Sequence, residues 1–246
     1  MTPRSDLEFA LALADRADEI AMARFGAADL EIDTKADASL VTDADRAIER
    51  ELGARIQAER PGDGIVGEEL GEALDAPARW VIDPIDGTSN YATGVPVWGT
   101  LIAFERDGTG RIGVASAPAI GRRWWADRET GAFADGRAIH VSDVRSLRLA
   151  SATVKHADDR ERVAPSVAGI AGDRGFVQHV HVAEGVLDVA VDGLLPLWDY
   201  AAVRVIVEVA GGRATARDGR APHPGDRFVT SNGLLHDAVL ALLQSR

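Results

Sequence analysis

The sequence predicts a layered α+β or α/β architecture, because helical and sheet-like segments are mixed along one uninterrupted chain. Two amphipathic helix patterns come first, short apolar strands fill the middle, and helices alternate with strands towards the end. No repeat, low-complexity tract or linker divides the 246 residues. They fit a single unit over 1–246, with approximate halves at 1–145 and 146–246.

From Ser5 to Phe25, the residues Leu7, Ala10, Leu11, Ala14, Ala17 and Ala21 recur at three- and four-residue steps between acids and arginines, as in an amphipathic helix. Thr42 caps a second helix. Asp45 stands three residues on, Ala47, Ile48, Leu52 and Ile56 follow at helical spacing, and Pro61-Gly62 stops the pattern. Two helices thus precede any clear strand. Apolar runs at Gly64–Val66, Trp80–Ile82, Val97–Phe104, Ile112–Ala117 and Arg123–Ala126, parted by Gly, Pro and Asp, make the middle mostly sheet. Beyond it the pattern predicts a strand near Leu149–Val154, a helix over Asp158–Ile170 and a poorly patterned stretch to Gly185. A strand over Leu187–Val191, a helix over Trp198–Ala210 closed by Gly211-Gly212, a strand at Phe228–Thr230 and a helix over Gly233–Leu243 complete the chain.

Composition narrows the partners. With 27 Lys and Arg against 39 Asp and Glu, the formal charge is −12, a field that repels nucleic acid but leaves room for a small phosphorylated metabolite. The 46% hydrophobic and 27% charged content is that of a packed globular protein. Cysteine is absent, which excludes disulfides, thiolate zinc sites and cysteine nucleophiles. Charges interrupt the first residues and every later apolar run, so neither a signal peptide nor a membrane span is expected, and the reading is a cytoplasmic protein.

The most informative segment is Trp80-Val-Ile-Asp-Pro-Ile-Asp-Gly-Thr-Ser-Asn90, where an apolar strand runs into a turn bearing two acids. Pro84 fixes φ and Gly87 permits a close backbone approach, so Asp83 and Asp86 can turn towards one point. Two convergent carboxylates repel unless a cation lies between them, and a hard divalent ion such as Mg²⁺ suits their oxygens. Gly87, Thr88, Ser89 and Asn90 then open a helix whose first amides favour an anion. Upstream, Glu68 and Glu69 follow a short apolar strand that an adjacent pairing could bring to the same cation. Downstream, Asp199 lies in the first turn of the Trp198 helix, where the dipole favours a carboxylate. Taken singly, a solvated turn or an ordinary helix cap explains each piece as well.

Together, Gly67-Glu-Glu69, Asp83-Pro-Ile-Asp-Gly-Thr88 and Trp198-Asp-Tyr-Ala-Ala202 resemble the inositol monophosphatase family in order and spacing. Within it, the texture is that of the actinobacterial histidinol-phosphate phosphatase branch. The segments Leu11–Asp18, Val41–Arg46, Arg60–Gly64, Arg122–Trp125 and Thr230–Asp237 carry that likeness. The resemblance implies a layered α-β-α-β-α sandwich and two or three Mg²⁺ ions. Glu68, Asp83 and the Ile85 carbonyl would hold one ion, and Asp83, Asp86 and Asp199 a second. Glu68 would support a third, weaker one. It also implies that Thr88, bonded to Asp45, orients the attacking water and helps to deprotonate it. The amides of Gly87 and Thr88 would receive the phosphate, and Asp192 would meet the rest of the substrate. Hydrolysis of L-histidinol phosphate in histidine biosynthesis is the implied activity, with inositol 1-phosphate or other sugar phosphates as the alternative, and a homodimer as the assembly. A protein that keeps the site and only binds a phosphorylated ligand is the reading from another class.

Some residues depart from that branch. Ser89 stands where it often carries lysine, Arg174-Gly175-Phe176 replaces a Gly-Asp pair, and the stretch from Ala157 to Asp173 is shortened. Asp192-Gly193 reads on its own as a strand-end turn. His179 and His181 would share one face of a strand, but with His156 they offer nitrogen to an ion that prefers oxygen. Trp124 and Trp125 are expected in the core or at an interface.

Overall fold

The computed structural model describes residues 5–245 apart from 70, 74–75 and 173–174. Asp173 and Arg174, named above as departures, lie outside the described residues. Helix α1 (Asp6–Arg24) opens with a capping box: the Ser5 hydroxyl accepts from the Glu8 N–H, and the Glu8 carboxylate accepts from the Ser5 N–H. Strands β1 (Ile32–Thr34) and β2 (Leu40–Thr42) then pair as an antiparallel ribbon. This corrects the expectation of two helices before any strand. Each of these strands has three residues, and β1 is exposed throughout, so neither carries an alternation to read. Helix α2 (Asp43–Glu59) starts from a second capping box between Thr42 and Asp45.

The central strands are β3 (Gly64–Gly67), β4 (Gly71–Ala73), β5 (Ala78–Asp86), β6 (Gly99–Arg106), β7 (Thr109–Ala117), β8 (Arg122–Asp127), β9 (Gly131–Ala134) and β10 (Arg137–Ala138). The short helix α3 (Thr88–Ala92) leaves the end of β5. These strands form one sheet in the order β10-β9-β8-β7-β6-β5-β3-β4, parallel only between β3 and β5. The second sheet comprises β11 (Ser151–Val154), β12 (Gly169–Ala171), β13 (Val189–Leu195), β14 (Arg213–Ala216) and β15 (Asp226–Ser231), in the order β12-β11-β13-β15-β14. Among these strands run α4 (Ala157–Val163), α5 (Phe176–Ala183), α6 (Leu197–Val209) and α7 (His236–Gln244).

Two expectations need correction here. The helix over Asp158–Ile170 ends at Val163, because Pro165 forces a tight turn over Ala164–Ser166 and the chain re-enters the sheet as β12. The stretch before Gly185 is helix α5, so His179 and His181 do not share a strand face. Gly175, with φ of 59°, sets the entry into that helix.

Strand alternation sorts the core into layers. Trp80, Ile82, Ile102, Phe104, Ile112 and Val114 pack with α1 and α2 on the outer face of the large sheet. Val81, Leu101, Ala103, Ala115, Trp124 and Ala126 face inward onto α5 and α6, whose other sides meet Ala190, Ala214 and Phe228 of the second sheet. Helices α4 and α7 cover the far side of that sheet through Val163, Val239, Leu240 and Leu243. The layers are therefore α-β-α-β-α, as the resemblance implied. Trp124 lies fully buried with its ring edge-on to Phe176, while Trp125 turns to the opposite face and stacks on Phe133. Among the described residues no helix is long and apolar enough to cross a membrane.

The seating of α6 on the large sheet depends on Gly113, where an added Cβ would stand 2.3 Å from the Ala202 carbonyl oxygen. Gly113→Val is expected to lower stability by about 1–3 kcal/mol in urea denaturation, as overpacking does. Gly53→Ala, in α2 with nothing within 4 Å of the added Cβ, is expected to raise it by about 0.5–1 kcal/mol. Equal responses at the two positions would contradict this account of the helix–sheet contact.

Candidate active site

Alternation along β5 places Asp83 on the same face as Val81, the face covered by α6. Asp83 still pairs with Leu101, but the register shifts before Asp86 meets Gly99, so a bulge turns the end of β5. Gly87 closes that turn with φ of 86°, a conformation that glycine reaches without strain, and α3 begins at Thr88. Parallel pairing sets Gly67 beside Ile82, so Glu68 leaves β3 next to Asp83. Asp199 comes from the first turn of α6, entered through Pro196. One carboxylate oxygen from each of Asp83, Asp86 and Asp199 lies within 4.8 Å of the others.

This proximity shifts their acidities. Burial, then the charges of Glu68, Asp199 and Asp86, push Asp83 well above the usual carboxylate range. Burial and the Asp86 and Glu68 charges push Asp199 up to about 8. Burial also pushes Asp86 up to about 7, although its Oδ2 accepts from the Phe176 N–H at 3.3 Å. Among the described residues Asp83 Oδ1 is buried without a hydrogen-bond partner. A buried acceptor without a donor, among carboxylates that repel one another, fits an oxygen-seeking divalent cation.

Glu68 contributes to this field, but its Oε1 accepts from Lys35 Nζ at 2.8 Å, and Lys35 also pairs with Glu69. The Glu69 N–H donates to Glu49, which is buried at the foot of α2. Asp45 caps α2 through Oδ2, accepting from the Thr42 N–H and hydroxyl at 2.8 and 2.6 Å. Burial, with Glu68 and Glu69 nearby, raises it to about 6. Thr88 Oγ1 lies 3.5 Å from Asp45 Oδ1 and donates at 3.0 Å to the Ile85 carbonyl. Ser89 is exposed on the first turn of α3.

Asp192 is not at a strand end. It sits inside β13 at a bulge between Val191 and Leu194, and is buried. Its Oδ2 accepts from Gln178 Nε2 at 2.6 Å and faces His179 Nε2 at 3.3 Å, while Oδ1 accepts from the Gly193 N–H and pairs with Lys155 Nζ at 3.0 Å. Against the burial that would raise it, His179 and Lys155 hold this carboxyl below the usual range. Lys35, Glu49, Lys155 and Gln178 escaped the sequence reading. A signal was present, because only two of the 27 basic residues are lysines and both pair with acids of this site.

The inositol monophosphatase family model matches residues 3–246. The chain belongs to the inositol monophosphatase family. It is 47% identical to a histidinol-phosphatase of Mycobacterium tuberculosis, covering 98% of each chain. It is 42% identical to a histidinol-phosphatase of Streptomyces coelicolor, covering 98% of this chain and 97% of that one. Its fold matches the extragenic suppressor protein suhB of Bartonella henselae with a TM-score of 0.89 at 26% identity, covering 97% and 98% of the two chains. Inositol monophosphatase family enzymes are metal-dependent, and the acidic cluster here is suited to that.

The raised carboxyls yield a measurable consequence. Asp86 and Asp199 bind protons more tightly in the folded chain than in the unfolded one, so the metal-free protein is expected to lose stability as pH rises from about 4 to about 8. Thermal melting should show that decline, and added Mg²⁺ should reverse it. Titrating Mg²⁺ into metal-free protein at pH 7, in buffers of different ionisation enthalpy, should reveal proton release. A binding enthalpy independent of buffer would contradict the protonated resting site.

Proposed function

We propose that the chain is a Mg²⁺-dependent phosphomonoesterase that hydrolyses L-histidinol phosphate to L-histidinol and phosphate, a step of histidine biosynthesis. The convergence of Asp83, Asp86 and Asp199 beside the Gly87-Thr88 turn carries the reaction class. Two histidinol-phosphatases that match nearly the whole chain support the substrate. A homodimer in a cytoplasmic setting belongs to the same reading, and the family match over residues 3–246 supports its single 1–246 unit.

In this reading Glu68, Asp83 and the Ile85 carbonyl would hold one cation, Asp83, Asp86 and Asp199 a second, and Glu68 a weaker third. Bound there, the cations would supply Lewis acidity towards phosphate oxygens and charge neutralisation. The chain supplies position. When the Thr88 hydroxyl turns its hydrogen from the Ile85 carbonyl to Asp45 Oδ1, its oxygen faces the attacking water, takes a proton from it and passes its own to Asp45. An acidity near 6 suits Asp45 to that exchange at neutral pH. The amides of Gly87 and Thr88 receive phosphate oxygens, Ser89 borders the approach, and Asp192 faces the alcohol half of the substrate.

Purified protein is expected to release phosphate from L-histidinol phosphate with Mg²⁺ and to stop when EDTA removes the ion. Its kcat/KM should exceed that for inositol 1-phosphate, and an equal or inverted ranking would overturn the substrate assignment. Asp83→Asn should lose at least about a hundredfold in kcat with an unchanged circular dichroism spectrum, since even outer-sphere partners of a metal contribute 10–100-fold. Retained turnover in that variant would overturn the mechanism. Light scattering measures the dimer.

A further inference from the structure

We infer that Lys155 is a displaceable counter-ion for Asp192, held there until an ammonium group of the substrate takes its place, and that this exchange selects cationic alcohols over neutral polyols. The inference rests on the proposed reading of the site and deepens it, naming what the alcohol side recognises.

Asp192 is 3% exposed, whereas the Lys155 side chain that caps its Oδ1 is 43% exposed. Lys155 follows β11, where its N–H donates to the Val191 carbonyl, so its stem lies across β13 towards the bulge. The stem passes Gly193, where an added Cβ would touch Lys155 Cδ at an ordinary 3.6 Å and crowd His156 Nε2 at 2.8 Å. The exposed partner of Asp192 is therefore a lysine on a flexible stem. Its other contacts among the described residues come from buried groups, the Gln178 amide, the His179 ring and the Gly193 N–H.

A buried carboxylate that loses its cation needs another. Leaving such a charge unpaired is strongly unfavourable, so a neutral hydroxyl is a poor replacement and an ammonium group a good one. Gln178 gives its Nε2 to Asp192, which turns its Oε1 away from that carboxylate, and among the described residues that oxygen is buried without a partner. Residue choice agrees with exchange: the chain uses arginine for 25 of its 27 basic residues, yet places a lysine here. A point charge on a mobile stem leaves more readily than a planar guanidinium that grips a carboxylate with two bonds.

The test is calorimetry on the Mg²⁺-loaded protein with L-histidinol and myo-inositol as probes. Removing the competitor in Lys155→Met should tighten L-histidinol binding by about fivefold, the value of a partly exposed ion pair, and leave myo-inositol unchanged. Lys155→Arg should weaken L-histidinol and melt like the parent, whereas Lys155→Met should melt lower, and added L-histidinol should restore its melting temperature by returning a cation to Asp192. Weaker L-histidinol binding in Lys155→Met, equal shifts for both probes, or no shift for either would overturn the exchange. Failure of the parent to hydrolyse L-histidinol phosphate while it hydrolyses inositol 1-phosphate would instead remove the substrate assignment. The binding comparison would still decide the role of Lys155.

Discussion

Carboxylates gathered at one point push one another apart, and the architecture around this site is what opposes that push. Two unit charges 4 Å apart still repel by about 4 kcal/mol at the effective dielectric near a protein surface. Asp83, Asp86 and Asp199 arrive on a strand, a bulged turn and a helix start, each fixed by contacts away from the acids. The parallel pairing of β3 with β5 adds Glu68 from a third direction. Helix α6 is pressed against the large sheet at Gly113, so Asp199 cannot retreat. The fold thus stores a negative well, relieved by protons when no cation is bound.

Around that well, polar groups are shared between structure and chemistry. Asp45 uses one oxygen to begin α2 and presents the other towards Thr88. The first turn of α5 serves two acids: Phe176 donates to Asp86, and Gln178 with His179 holds Asp192. His179 in turn meets Thr230 of β15, which ties the alcohol side of the site to the second sheet. Both halves of the chain therefore meet at the site, and its geometry depends on the helix layer between the two sheets.

What could be read from the sequence was local. The cap of α2 at Thr42, the acids on either side of Pro84 and the aspartate in the first turn of α6 declare themselves within a few residues. The apolar run Trp80–Ile82 was also plain, but not that Trp80 faces outward and Val81 inward, since both faces are apolar. The ribbon of β1 and β2 was hidden because its three-residue strands gain their structure from pairing alone. Helix α5 was hidden because seven of its eight residues are buried, which leaves no polar face to set a period. Asp192 read as a turn because Gly193 follows it, whereas that glycine serves a bulge and the close approach of His156. The partners of Glu68 and Asp192 lie far away along the chain, and only folding brings them close.

The scarcity of lysine reaches beyond binding. Both side-chain primary amines, Lys35 and Lys155, are engaged with acids of the site, while the remaining basic residues are arginines. Acylating or reductively alkylating reagents, which leave guanidinium groups intact, would find no other side-chain amine on this protein. Such chemistry becomes a reporter of cavity occupancy, and attachment to a support through lysine would draw on the very groups that guard the acids.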